Sequence, residues 1–107
     1  MTTFDKREQG FESKFAHDEA LKFKAFARRN RLLGLWAAGL LGLEGDAATE
    51  YAMSVVRADF EEAGDDDVLR KVKADFDAKG VHQSEHQVRR TMDELLATAV
   101  QQIQSES

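Results

Sequence analysis

The sequence contains no cysteine, which excludes disulfides, cysteine-ligated zinc and thiol chemistry and suits a reducing compartment. It contains no proline either, a composition that favours uninterrupted helices joined at glycines. β-Branched residues are sparse and never alternate over a useful run, so strands are not expected. What is left, rich in Ala, Leu, Glu, Lys, Arg and Asp, reads as all-α. At 107 residues the chain makes one domain with a real but modest core. The longest apolar run, Leu32–Leu43, has twelve residues, too few to span a bilayer, which takes about 20.

A sustained basic surface is also lacking. The formal net charge is −5, so nucleic acid is not the expected partner, because phosphate binding needs clustered cations. The charge is unevenly spread: residues 1–31 carry a net of +3 and residues 32–107 a net of −8. The positive N-terminal piece is suited to an acidic protein surface.

On a helical wheel of roughly 100° per residue, Phe4, Phe11, Phe15, Phe26, Leu33, Trp36 and Leu40 share one arc. The pattern predicts one long first helix from about Thr3 to Leu43. At 1.5 Å per residue such a helix is about 60 Å long, whereas a globule of this chain length has a radius of gyration of about 13 Å. Part of it should leave the body. Asp18 and Lys22 interrupt the stripe and mark the division, giving an arm over 1–17 and a bundle domain over 18–104. Gly10 inside the arm weakens helix by about 1 kcal/mol against alanine, so the arm is expected to be mobile when free. The bland explanation of Phe4, Phe11 and Phe15 is core, reached by folding back or in a homodimer. The length mismatch, the positive charge and Gly10 favour a helix that occupies a partner's groove.

In the body, Leu32–Leu43 is apolar nearly all round, as a central helix would be, with Trp36 as a core anchor and Gly34 and Gly39 allowing close helix contact. Asp46 is expected to cap a second helix reaching about Glu62, with Ala48, Ala52, Val55, Val56 and Phe60 inward. Asp65 should cap a third over about Asp66–Lys79, with Val68, Leu69, Val72 and Phe76 inward. Ser84 and Gln87 form a capping box for a fourth. Val88, Met92, Leu95, Leu96, Ala99 and Ile103 line that helix at i, i+4, i+7, i+8, i+11 and i+15, and the tail from Gln104 should fray. The expected architecture is an antiparallel four-helix bundle with a long first helix whose N-terminal part projects as an arm.

Motifs that could carry chemistry are weak. Gly34 and Gly39 have phosphate-loop spacing but lead into Leu40-Leu41, without the lysine and hydroxyl that such loops need. His82 and His86 are four apart, but His82 precedes the Ser84 cap and no third ligand is evident, so no metal is expected. Asp65-Asp66-Asp67 lacks the spacing of a calcium loop and suits the positive end of a helix. Arg28-Arg29 before an apolar run has the look of a twin-arginine export signal, yet a patterned aromatic helix precedes it, and we read the run as a buried helix. His17, beside Asp18 and Glu19, is a candidate pH-sensitive hinge, with a plain exposed histidine as its bland alternative. No nucleophile and base are arranged for catalysis, so an enzyme is not expected.

Four blocks occur in order along the chain: Phe11-Glu12-x-Lys14-Phe15-Ala16-His17-Asp18-Glu19, Arg28-Arg29-Asn30-Arg31-Leu32-Leu33-Gly34-Leu35-Trp36-Ala37-Ala38, Val56-Arg57-Ala58-Asp59-Phe60-Glu61-Glu62-Ala63-Gly64 and Ser84-x-His86-Gln87-Val88-Arg89-Arg90-x-Met92-Asp93-Glu94-Leu95. Together they resemble the zeta-subunit family of alphaproteobacterial ATP synthase inhibitors. The resemblance implies a small four-helix protein whose N-terminal segment enters a catalytic interface of the F1 sector, among its α, β and γ subunits, and stops rotation in the hydrolysis direction. Carried over by position, Phe4, Phe11 and Phe15 are the apolar anchors, and Lys6, Arg7, Glu12 and Lys14 are the charged contacts. The residues themselves lead us to expect a soluble, cytoplasmic protein without a cofactor, and with the resemblance the expectation is a free monomer that associates with the cytoplasmic face of the inner membrane through F1 without inserting into it. The alternative from the residues alone is a non-catalytic adaptor or self-association module using the same aromatic stripe.

Overall fold

Asp18 is where the first described helix starts. Its backbone is extended, at φ −119° and ψ 104°, and its side chain accepts a hydrogen bond from the Leu21 N–H at 3.1 Å, as an N-cap does. The computed structural model describes residues 18–59 and 65–106. Within them lie α1 (Glu19–Leu41), α2 (Gly45–Ala58), α3 (Asp66–Ala78) and α4 (Glu85–Glu106), with no strand among the described residues. This is the all-α four-helix bundle expected. The part of the expected long helix that precedes Asp18 lies outside the described residues; from Glu19 onward the helix is present, with the Asp18 carboxylate capping its first turn.

Each remaining boundary has a local cause. At the end of α1, Gly42 takes φ 82°, and Leu43 N–H reaches back to Ala38 O at 2.9 Å, a glycine-terminated stop. Helix α2 starts one residue earlier than expected, after Glu44, which makes no side-chain cap bond. Asp46 therefore sits in its first turn, where its charge still favours the helix dipole. The helix ends at Ala58 and not near Glu62. Helix α3 ends with Gly80 at φ 73° and Val81 N–H bonded to Phe76 O at 2.8 Å. The capping box of α4 is formed on both sides, Ser84 N–H donating to Gln87 and Gln87 N–H to the Ser84 hydroxyl. Helix α4 does not fray from Gln104: it continues to Glu106, whose carboxylate is held by Arg28.

Helix α1 packs against all three others, most extensively against α2 and α4. The main core joins Leu33, Ala37 and Leu41 of α1 with Val55 of α2, Val68, Val72 and Phe76 of α3, and Val88 and Met92 of α4. A smaller cluster joins Ala25 of α1 with Leu96, Val100 and Ile103 of α4, with Leu21 and Phe26 packed beside it. Membership of both clusters shows α1 and α4 running antiparallel. Helices α1 and α2 approach closely at Gly34, where a Cβ would lie 2.5 Å from the Ala52 Cα. A residue with a side chain cannot occupy that position without moving the helices apart.

The described part of the stripe expected on α1 only partly coincides with its buried face: Leu33 is fully buried, Phe26 and Trp36 pack at the edge of the core clusters, and Leu40 is exposed. The fully covered residues are Ala25, Arg29, Asn30, Leu33, Gly34, Ala37 and Ala38. Trp36 is half-buried and meets Phe76 edge to face at 5.6 Å, so it flanks the core and does not anchor its centre. Leu35 and Leu40 are exposed, and Gly39 faces open space, so the apolar run is not surrounded on all sides. Small residues face the neighbouring helices because they allow the close approach that large ones prevent.

Candidate functional site

The residues expected to contact a partner, Phe4, Lys6, Arg7, Phe11, Glu12, Lys14 and Phe15, lie outside the described residues, as does His17. What is described is the platform to which they connect. The first turns of α1 are tied to the last turns of α4 by Leu21, Ala25 and Phe26 against Leu96, Val100 and Ile103. Outside this contact, Arg28 holds Glu106 through both guanidinium nitrogens, the second bond being 3.1 Å, and Lys24 lies 3.9 Å from the same carboxylate. The hydrogen bond from Arg28 holds the Glu106 carboxyl below the usual carboxylate range. The early turns of α1 and the last turn of α4 are thus clasped together by charge.

A second constellation lies deeper and was not expected. Arg29 is 1% exposed. Its Nη2 donates to Asp65 at 2.8 Å and its Nε to the Asn30 side-chain oxygen at 2.7 Å. The guanidinium also lies 5.6 Å from the centre of the Phe26 ring, a favourable cation–π distance. Asn30 and Asp67 are buried beside it, and the Asp67 carboxylate accepts from the Val68 N–H. Asp59, just after α2, faces the same group, and burial pushes its carboxyl above the ordinary aspartate value. The cluster ties both ends of the 59–65 connection to the centre of α1. Asp65 was expected to cap α3, but it makes no side-chain cap bond and instead neutralises Arg29. Asp66 reaches across to Arg89 at 3.0 Å. The three consecutive aspartates therefore serve three contacts, and their use goes beyond the helix dipole.

The wheel held a signal for this cluster. Arg29 is four residues from both Ala25 and Leu33, so it occupies the buried phase of α1 despite its charge. No spacing rule pairs it with Asp65, which is 36 residues away. The twin arginines thus have separate structural roles, Arg28 on the surface and Arg29 inside.

Between α3 and α4 lies an open cleft of about 620 Å³. Its walls carry Arg70, Lys73 and Arg89 together with Asp66, Asp77 and Glu85. Arg89 is bonded to Asp66 and Lys73 to Asp77, so the cleft presents both signs and no concentrated cationic charge. Gly34 and Gly39 lie inside α1 and form no phosphate-binding loop. His82 and His86 are exposed, and among the described residues no group of three potential metal ligands occurs. No helix among the described residues is long and apolar enough to cross a membrane.

A half-buried contact supports the other end of the bundle. The Tyr51 hydroxyl donates to Asp75 at 2.7 Å, and Lys71 approaches the same carboxylate at 3.1 Å. Burial, then the bond to Asp75, raises the phenol above its ordinary value, so Tyr51 stays neutral and acts as a donor.

The comparisons with known proteins agree with this fold. No curated protein matches the chain. A protein solved in solution by NMR is 50% identical, covering 81% of this chain and 99% of its own, with a TM-score of 0.72. The model of the family described as ATPase inhibitor subunit zeta matches residues 1–102. With nearly its whole length matched, the chain belongs to the ATPase inhibitor subunit zeta family.

Proposed function

We propose that this protein inhibits ATP hydrolysis by the F1 sector of ATP synthase, by placing residues 1–17 as a helical arm in a catalytic interface and blocking rotation in the hydrolysis direction. The observation that carries this reading is the family match, which begins at residue 1 and so includes the segment with Phe4, Phe11 and Phe15. The charge pattern supports it, because the cations Lys6, Arg7 and Lys14 lie in the positive part of an otherwise acidic chain. The clasp of Arg28 and Lys24 on Glu106 supports it as well, since an arm exerts leverage only from a fixed base. The protein acts as a regulatory subunit and not as a catalyst, and its association with the membrane runs through F1.

Binding must overcome the cost of ordering the arm, on the order of 1–2 kcal/mol per residue in backbone entropy. Burial of the three phenylalanine rings and the charged contacts of Lys6, Arg7, Glu12 and Lys14 supply the opposing term. Deleting residues 1–17 should abolish inhibition of F1 ATP hydrolysis while changing the melting temperature of the bundle little. Phe11→Ala or Phe15→Ala should weaken inhibition without unfolding the body. A truncated body that inhibits as well as the full chain would place the inhibitory surface elsewhere, and a truncation that unfolds would make the aromatic stripe part of the core.

A further inference from the structure

Helices α1 and α2 are joined by residues 42–44 and run antiparallel, meeting where a Cβ on Gly34 would lie 2.5 Å from the Ala52 Cα. At about 100° per residue, the residues preceding such a contact pair lie on one side of it and those following lie on the other. Leu33 and Tyr51, which precede, belong to the main core together with α3. Leu35 and Met53, which follow, lie on the opposite side and remain 37% and 43% exposed. One exposed apolar side chain is ordinary, but these two flank a single groove, and the half-buried Val56 shares their side of α2. Charge runs along the groove with one polarity. A turn from the contact towards the start of α1 lies Arg31, and towards the end of α2 lies Arg57. In the other direction lies Asp46, in the first turn of α2. Arg31 and Arg57 are exposed and make no hydrogen bond or ion pair among the described residues. Asp46 and Arg57 also suit the dipole of α2 itself. Arg31, in the middle of α1, has no such role, yet it brings a second cation to the same end.

We propose that this groove docks an amphipathic helix of a partner protein, its apolar face on Leu35, Met53 and Val56 and its acidic C-terminal turn beside Arg31 and Arg57. A valley between two packed helices receives the side-chain ridge of a third. Helix α2 has 14 residues, so the groove extends about 21 Å, room for about four helical turns. A partner helix running parallel to α2 sets the negative end of its dipole against the two cations and its positive end against Asp46. The reverse orientation, or an acidic first turn, puts like charges together at both ends and is rejected. The surface is separate from the segment 1–17, and its occupancy does not depend on the inhibitory reading.

The test uses two synthetic peptides the length of α2, each held helical by a side-chain lactam and carrying leucine at i, i+3, i+4 and i+7. One has glutamates in its last turn and lysines in its first; the other has these charges exchanged. Each is titrated into the full-length protein, with NMR following the methyl groups of Leu35, Met53 and Val56 and the Arg31 Nε–H. The first peptide should shift all of these signals, and the exchanged peptide should bind about tenfold more weakly. Arg31→Glu should reverse the preference. Its melting temperature should match that of the wild type, because Arg31 is exposed and bonds to nothing among the described residues. Peptides that bind equally, or that shift the α3–α4 cleft in place of the groove, would overturn the proposal, as would no binding by either. Groove signals that move with protein concentration alone would give the surface to a second copy of the chain and overturn it as well. The peptide comparison is made on the wild-type protein and stands whatever the variant does.

Discussion

The two ends of the bundle are built differently. At one end nine buried side chains from all four helices enclose a continuous core. At the other, four buried side chains from α1 and α4 alone form a smaller cluster, supplemented by the surface pairs of Arg28 and Lys24 with Glu106. Apolar burial is insensitive to salt and to mild acid, whereas exposed ion pairs are screened and titrate. The end at which α1 begins is therefore the one that depends more on charge, and the opposite end carries more of the apolar burial. The Arg29 cluster lies on α1 between the two and brings Asp59, after α2, and Asp65, before α3, to the same helix.

The sharpest way to break this comparison is Phe76→Ala. Phe76 is fully buried in the larger cluster and abuts Trp36, so its removal should cost about 3–5 kcal/mol, measured by urea unfolding. A loss below about 1 kcal/mol would mean that the larger cluster does not dominate stability. Gly34→Ala comes next. The new methyl would meet the Ala52 Cα at 2.5 Å, and separating α1 from α2 should cost roughly 1–3 kcal/mol. Unchanged stability would show that the two helices slide freely at this contact. Ile103→Val in the smaller cluster should cost only about 0.5–1.5 kcal/mol, with faster amide exchange in the first turns of α1 and the last turns of α4. Exchange that accelerates equally at both ends would erase the distinction.

The smallest effect is expected from Arg28→Gln. It removes the group that holds the Glu106 carboxyl below its ordinary value. That contribution is present above the ordinary carboxylate range and lost as pH falls through the lowered value. The variant should therefore differ from wild type in exchange at the clasped end near neutral pH and low salt, and match it in acid or at high salt. A difference that persists at high salt would assign Arg28 a packing role.

Several features needed only the order of residues. The absence of proline and the 3.6-residue recurrence of Val88, Met92, Leu96 and Ile103 determined helix α4 and its inner face. Val68, Val72 and Phe76 did the same for α3. The Ser84–Gln87 box and the turns at Gly42 and Gly80 follow from local chemistry acting within a few residues. The family was legible in the same way, through ordered blocks of residues.

Other features depended on contacts between distant parts of the chain. Side-chain size decided which face of α1 is buried: Gly34, Ala37 and Ala38 allow neighbouring helices to approach, while Leu35 and Leu40 remain outside. Periodicity registers hydrophobicity but not the space that a partner helix leaves, so Trp36 was assigned to a centre that it only flanks. Arg29 is inside because Asp65, 36 residues later, supplies an opposite charge at 2.8 Å. Glu106 extends the last helix because Arg28 reaches it across the fold. A burial cost for charge is intrinsic to the residue, but the compensating partner is supplied by the fold, and only tertiary structure decides whether the two meet.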